Sequence, residues 1–215
     1  MIKIENTEVV GWEHAVRGMR NPMNSWDKSD SYRHLNMDTL QSSYVFGNND
    51  FKLAMKLAKG GSVHAKYRRM ITVYVDITAP LYWWKEFDTY KVGTVANSCS
   101  TMHKIHEKEF TLEDFSCEKL HENSMNLLGE IIDELNYNRE VFVKTKDKEY
   151  WEQMIQLLPS SYNQKRTIML NYEVLVGMYR DRKNHKLDEW RELCKWIESL
   201  PYSELIIGEE KDEEG

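Results

Sequence analysis

The chain has 215 residues, of which 41% are hydrophobic and 30% are charged, and its formal net charge is −6. This length and apolar content suit one soluble domain, and no apolar run approaches the roughly 18 residues that a membrane-spanning helix needs. The acidic balance leaves no electrostatic footprint for duplex nucleic acid, so composition excludes both membrane-spanning and duplex-binding classes.

Charge is concentrated in residues 209–215 (EEKDEEG), where five acids and one lysine give a net charge of −4. We expect residues 209–215 to be a mobile acidic tail and residues 1–208 to form a single domain. The three cysteines suit no disulfide framework, and no secretory leader precedes the first predicted strand. We therefore expect a cytoplasmic protein.

Apolar periodicity and turn residues predict the elements of the first part of the chain. They are a strand over 2–10, a helix over 13–20, an ordered loop over 21–33, a helix around 38–47, and a helix over 51–59 that Asp50 caps and Gly60-Gly61 ends. A long strand is predicted next, over 64–78, because apolar and polar residues alternate there until Ala79-Pro80.

The remainder of the chain is predicted to be mainly helical. The predicted helices are 81–90, 117–140, 147–157, a long helix that begins at Leu158-Pro159, and 187–200, while 91–105 is a polar stretch without helical periodicity. The aromatic run Tyr82-Trp83-Trp84, with Phe87 and Tyr90, is more typical of a core or a subunit interface than of a base-stacking platform. Together these elements predict one α+β domain.

One polar residue stands out inside the long apolar segment that follows Leu158-Pro159. Asn171 precedes Arg182 by eleven residues, which is close to three helical turns, so both side chains are predicted to share a face. A buried polar group without a partner costs roughly 1–3 kcal/mol. The partner is either a structural network of helix capping and salt bridges with Glu173 or Glu189, or a ligand.

This segment resembles the C-terminal helix of the flavin-dependent thymidylate synthases. The family pattern of Leu-Pro, Asn, Leu and Arg falls on Leu158-Pro159, Asn171, Leu175 and Arg182, and a one-residue deletion aligns His185, Glu189 and Arg191. The resemblance implies that Arg182 holds and polarises the uracil of dUMP. It also implies that Asn171 and His185 border the flavin.

The middle of the chain resembles the same family. Ala79-Pro80 matches, and the flavin motif Arg-His-Arg falls on Thr89-Tyr90-Lys91, where only Lys91 keeps a positive charge. The family's final arginine of this motif falls on Met102. Ala15-Val16-Arg17 resembles an early Ala-Ala-Arg. Lys165 and Arg166 are candidates to replace the missing charges.

The resemblance implies a role for each candidate residue. The catalytic residue is Arg182; the substrate-binding residues are Ser100, Asn97, Ser98, Thr101, Lys91 and Glu86; the flavin-binding residues are Asn171, His185, Tyr90 and Lys91. Hydroxyls and backbone N–H groups of the run 97–101 suit an anion, although a polar surface loop has the same composition. Glu86 takes the place of a family glutamine near the nucleotide.

A zinc site is a further alternative for one stretch of the chain. Its ligands are Cys99, His103, His106, Cys117 and His121. Their spacing fits no standard zinc-finger pattern, and a free cysteine is usually a small buried hydrophobic residue. We therefore predict no metal site.

The resemblance implies a flavin-dependent thymidylate synthase-like fold, with a small antiparallel-type sheet packed by several long helices, in a homotetramer. The leading hypothesis is binding of dUMP and methylation of its C5, with FAD as cofactor and with NADPH and methylenetetrahydrofolate as co-substrates. The alternative is a nucleotide-binding protein of the same fold without flavin chemistry, which sequesters, senses or modifies a pyrimidine nucleotide. A third hypothesis is an interaction protein whose aromatic surface, residues 82–90, serves assembly.

Overall fold

Six strands and eight α-helices make up the regular structure of the computed structural model, which describes residues 2–38, 40 and 42–208. The strands are β1 (Lys3–Val10), β2 (Tyr32–Leu35), β3 (Ser42–Val45), β4 (Thr72–Pro80), β5 (Val95–Ser98) and β6 (Asn163–Asn171). The helices are α1 (Trp12–Arg20), α2 (Asn48–Lys59), α3 (Leu81–Phe87), α4 (Glu122–Thr145), α5 (Lys148–Leu157), α6 (Tyr172–Arg182), α7 (Asp188–Glu198) and α8 (Glu204–Ile207). The predicted acidic tail, 209–215, lies outside the described residues.

One four-stranded sheet has the strand order β1-β4-β6-β5, and β2 and β3 form an antiparallel hairpin in which Tyr32 is opposite Val45. This small sheet with several long helices confirms the predicted α+β fold class. The residues form two compact units: one comprises 2–5, 76–89 and 96–167, and the other comprises 6–75, 90–95 and 168–208. They are called the first and the second unit below.

The core of the first unit is built from α4, α5 and the segment that precedes them. Its buried side chains are Ile105, Phe110, Phe115, Leu128, Ile132, Leu135 and Met154. Trp83, Trp84 and Phe87 of α3 are also buried, so the prediction that the aromatic run is core is confirmed for these three rings. Tyr82 and Tyr90 are half-buried, so an assembly role of the segment 82–90 stays a prediction that concerns these two rings.

Elements with a clear local period form as predicted. In β4, Val73, Val75 and Ile77 are buried and alternate with more accessible residues, as a half-buried strand requires. In α7 the buried residues follow a spacing of three or four, as on one face of a helix. Asp147 caps α5 by accepting a hydrogen bond from the backbone N–H of Glu149.

Several predicted elements are wrong. The helix predicted around 38–47 is absent from the described residues there, because Ser42–Val45 pairs with Tyr32–Leu35 as a hairpin. Residues 65–70 form a 3-10 helix, so β4 begins only at Thr72. The long helix predicted from Leu158 is instead β6 followed by α6. In β6, Gln164, Ile168 and Leu170 are buried at even positions, which is the period of a strand.

Candidate functional site

Asn171 lies at the junction of β6 and α6, in the second unit, and not inside a helix as predicted. It is the N-cap of α6: its side-chain oxygen accepts a hydrogen bond from the backbone N–H of Val174 at 3.1 Å. The N–H of the next residue, Tyr172, donates to the carbonyl of Ile71 at 3.1 Å. Asn171 therefore has the internal partner that its position in an apolar segment requires.

The loop of residues 90–95 passes directly over this cap. Gly93 has a φ of +79°, and a Cβ at this position would lie 3.0 Å from Nδ2 of Asn171 and 3.1 Å from Cγ2 of Val174. A side chain at residue 93 would therefore be strained by the left-handed backbone conformation and crowded by Asn171 and Val174. This close approach places Lys91, which is exposed, on a loop that is fixed against the start of α6.

Replacing Gly93 by alanine is expected to lower the free energy of unfolding by about 2 kcal/mol, since strain in the left-handed region adds to the contact with Asn171. Gly61→Ala is the matched control, because Gly61 has a φ of +85° but open space around its Cβ position. Urea denaturation of both variants separates the two contributions. Equal losses for the two variants would show that the loop does not press on Asn171.

Arg182, the predicted catalytic residue, ends α6 and is held by two aromatic rings. Its Nε donates a hydrogen bond to the hydroxyl of Tyr90 at 2.9 Å. Its guanidinium carbon lies 4.5 Å from the ring centre of Trp190 and 5.6 Å from that of Tyr90. Trp190 is fully buried on α7, and Arg182 is half-buried. Arg182 is thereby fixed in one orientation with an apolar wall beside its charge.

His185, predicted to border a flavin, belongs to the same cluster. Its ring centre lies 6.2 Å from that of Trp190, and its Nδ1 accepts a hydrogen bond from the backbone N–H of Leu187 at 3.2 Å. Arg191 donates to the carbonyl of His185 at 2.7 Å and pairs with Asp188. These contacts order the turn from α6 to α7, so His185 has a structural role in the turn.

Tyr90, Arg182, His185 and Trp190 are called the Arg182 cluster below. The sequence indicated the first three of these residues, but it did not indicate Trp190, which joins them. Glu173 was one of the two acids predicted to pair within a structural network around Asn171 and Arg182. It forms an ion pair with Arg68 instead, at 2.8 Å. A guanidinium against buried aromatic rings is poorly screened by water, so it interacts strongly with a carbonyl oxygen or a negative charge.

Five of the six predicted substrate-binding residues lie in the first unit, whereas Lys91 is in the second. Asn97 and Ser98 are exposed at the end of β5, and Thr101 is half-buried. The Ser100 hydroxyl accepts a hydrogen bond from the backbone N–H of His103 at 2.9 Å, which gives it a role in a turn. Glu86 is half-buried on α3. The structure thus assigns these residues to a different unit from the Arg182 cluster.

Arg166, considered above only as a replacement charge, is the centre of a contact network in the first unit. Its guanidinium carbon lies 4.2 Å from the Trp84 ring centre, and Arg166 donates to Asp88 at 2.7 Å and to Gln164 at 3.0 Å. Only 14% of its side chain is exposed. The sequence did not indicate this network, because the segment was predicted to be helical, and residues 164 and 166 share a face only in a strand.

The cysteines and histidines considered for zinc do not assemble in the described part of the chain. No group of three or more His, Cys, Asp or Glu side chains is arranged there to hold a metal ion. Cys99 is exposed, whereas Cys194 is buried, and burial raises the pKa of its thiol to about 11. Among the described residues, no helix has both the length and the apolar character for crossing a membrane.

The fold is similar to that of solved flavin-dependent thymidylate synthases. One is ThyX from Helicobacter pylori complexed with FAD and dUMP, with 15% identity, a TM-score of 0.66, and coverage of 94% of this chain and 96% of that one. A second structure of ThyX from Helicobacter pylori, with FAD and dUMP, has 15% identity, a TM-score of 0.67, and coverage of 95% and 96%.

A third similar structure is the UMP/dUMP methylase PolB from Streptomyces cacaoi bound with 5-Br dUMP. It has 11% identity, a TM-score of 0.57, and coverage of 92% of this chain and 88% of that one. No family model matches the chain, and no curated protein is detectably similar to it in sequence. The comparisons therefore confirm the predicted fold, and they confirm it through structure alone.

Proposed function

We propose that this chain binds a pyrimidine deoxynucleotide, with dUMP as the first candidate, and that Arg182 recognises the pyrimidine ring. The observation that carries the proposal is the fixed position of Arg182 between Tyr90 and Trp190. Arg182 also follows Leu158-Pro159 by the same number of residues as the corresponding arginine of the family. The similarity in fold supports the proposal, because the three similar structures above contain dUMP or 5-Br dUMP.

Arg182 has the chemistry that this role needs. The planar guanidinium donates charge-assisted hydrogen bonds in a fixed plane, which suits a carbonyl oxygen in the plane of a uracil ring. Its positive charge stabilises negative charge that develops on the ring when C5 reacts. The hydrogen bond from Nε to Tyr90 fixes the plane of the guanidinium before a ligand arrives, so less conformational entropy is lost on binding.

The remaining substrate contacts are proposed from the resemblance. Backbone amides and hydroxyls of Asn97, Ser98, Ser100 and Thr101 would hold the phosphate and sugar, together with Lys91 and Glu86. Exposure of Asn97 and Ser98 supports this assignment. The bond from the His103 N–H to Ser100 fixes the turn and leaves a hydroxyl proton to donate to a phosphate oxygen.

The residues aligned with the flavin motif do not fit FAD well. Thr89 and Tyr90 stand where the family has cations, and the Tyr90 hydroxyl is the acceptor for Arg182. The Asn171 side-chain oxygen is used by the cap of α6, and His185 orders a turn. Lys91 alone offers a positive charge among these aligned residues. These observations support nucleotide binding more strongly than flavin binding.

C5 methylation of dUMP is the second candidate function, and the fold likeness to the FAD complexes of ThyX and to a dUMP methylase favours it. FAD, when bound, would supply hydride chemistry, with NADPH as reductant and methylenetetrahydrofolate as carbon donor. We further propose a homotetramer in which neighbouring copies complete the site. The protein partners of Tyr90 and Asn171 favour the flavin-free binder over this activity.

Two measurements on the purified protein test both candidates. The visible absorbance spectrum before and after addition of FAD and dUMP reports flavin binding. Thermal shift with dUMP reports nucleotide binding, and we expect a stabilisation of about 2.7 kcal/mol at 100 times the dissociation constant. A flavin spectrum perturbed by dUMP would support methylation, and a dUMP shift without flavin would support the flavin-free binder. Absence of a shift with any pyrimidine nucleotide would contradict both.

A further inference from the structure

A cleft in the second unit, remote in sequence from the Arg182 cluster, is lined by three arginines and three aromatic rings. Its volume is about 400 Å³, within the range of small-molecule sites. Residues of α1, the segment after it and the β2–β3 hairpin line it, and they include Arg17, Arg20, Arg33, Trp26, Tyr32 and Tyr44. We call it the arginine cleft.

The floor of the arginine cleft is rigid. Arg20 is 4% exposed, pairs with the buried carboxylate of Asp50, and donates to the carbonyl of Ser25 at 3.0 Å. Asp50 also accepts hydrogen bonds from the hydroxyls of Ser29 at 2.7 Å and Ser31 at 2.6 Å. The lining segment is therefore fixed to the start of α2, and the cleft exists before a ligand binds.

The mouth of the cleft combines exposed rings with a positive charge. Trp26 is 51% exposed and Tyr32 is 57% exposed, although both are large aromatic side chains. Arg33 is paired with Glu13 at 3.0 Å, whereas Arg17 is in no ion pair among the described residues and has a hydrogen bond to His14. The lining thus carries three positive charges and one negative charge, with Arg17 available to an anion.

We propose that the arginine cleft binds a small ligand that joins a planar ring to a phosphate or carboxylate group. Arg17 binds the anionic group, because Arg20 and Arg33 already have carboxylate partners. Trp26 and Tyr32 contact the ring, since stacking on an aromatic side chain contributes about 1–3 kcal/mol per base-sized ring. This site is independent of the nucleotide function proposed for the Arg182 cluster.

The test uses saturation-transfer NMR and calorimetric titration of the full chain with phenyl phosphate and benzoate, which carry the two kinds of anion. Inorganic phosphate is a third probe, which lacks the ring. Arg17→Gln is expected to weaken binding of the ring-bearing anion about tenfold or more, and Trp26→Ala to weaken it about tenfold. Arg69→Gln is the matched control, since it removes one exposed arginine of the same unit outside the cleft.

The outcomes separate the two ligand sources and decide the proposal. Preference for phenyl phosphate assigns a phosphate ligand, and preference for benzoate assigns a carboxylate. Equal binding by Arg17→Gln and the Arg69→Gln control would overturn the proposal, as would the absence of binding by either ring-bearing probe. Arg182→Gln is expected to leave this binding unchanged, so failure of the nucleotide proposal does not affect the result. Near-ultraviolet circular dichroism of each variant checks that the fold is kept.

Discussion

Replacing Asp50 by alanine is expected to lower the free energy of unfolding by about 3–5 kcal/mol, because the buried guanidinium of Arg20 is left without its carboxylate. Asp50 is fully buried, and its carboxylate accepts hydrogen bonds from Arg20, from the Ser29 hydroxyl, from the Ser31 hydroxyl and N–H, and from the Asp30 N–H. Urea denaturation of the variant measures the loss.

Asp27→Ala is the matched control for this substitution. Asp27 is exposed in the segment that Asp50 holds, so its loss is expected to change stability by less than about 0.5 kcal/mol. A change of similar size for both variants would mean that the Asp50 carboxylate does not organise the segment. A double-mutant cycle with Arg20 then isolates the coupling of the ion pair from the other hydrogen bonds.

The same carboxylate makes stability depend on pH in a defined direction. Burial by itself raises the pKa of Asp50, but hydrogen bonds from Ser31, Ser29 and Arg20 outweigh it, so the pKa is lowered in the folded protein. The ionised Asp50 carboxylate therefore contributes fully to the free energy of unfolding above its unfolded-state pKa of about 3.9. This contribution is lost as the pH falls from that value to below the folded-state pKa. Wild-type stability is expected to fall more steeply than that of Asp50→Asn in this window.

Replacing Arg182 by glutamine is expected to weaken dUMP binding about 100-fold or more, because a charge-assisted hydrogen bond to a ring carbonyl and the positive charge beside it are lost. Arg182→Lys keeps the charge without the planar fork, so we expect a loss of about tenfold. Isothermal titration with dUMP measures both effects. Arg180→Gln is the control on the same helix, since Arg180 is exposed and pairs with Asp181 at 2.9 Å.

A purely structural role of Arg182 predicts a different pattern. Loss of its contacts to Tyr90 and Trp190 would then lower the melting temperature while dUMP binding stays at the wild-type level. Reduced binding by Arg182→Gln, with Arg180→Gln unchanged and both variants folded, supports recognition of the ring. Equal dUMP affinity in Arg182→Gln and wild type would exclude Arg182 from the site.

Misassigned segments share a physical cause. The run Ile168-Met169-Leu170 is short and apolar, and periodicity does not separate a buried strand from a buried helix over so few residues. β6 is a strand because its backbone pairs with β4 and β5, which are distant in sequence. The β2–β3 hairpin likewise depends on pairing, and its exposed residues give little alternation to detect.

Single residues also differ in whether the sequence alone indicated their role. The position of Arg182 eleven residues after Asn171 was visible in the sequence, and both residues lie at the ends of one helix as this spacing allows. Helix capping was one of the alternatives for Asn171, but its place at the start of α6 was not visible, because it depends on where β6 ends. Trp190 was also missed, since a tryptophan on an amphipathic helix is usually a core residue and only its contact with Arg182 gives it a further role.

Local patterns were sufficient for the fold class and for β4, α5 and α7, because alternation, capping and helical spacing are properties of neighbouring residues, whereas the family resemblance indicated Arg182 as the principal candidate. Only the tertiary structure decided the Arg182 cluster and the arginine cleft. Tyr90 and Arg182 are 92 residues apart, and Arg20 and Asp50 are 30 residues apart. Such contacts arise from how strands and helices pack, and no local period of the chain encodes them.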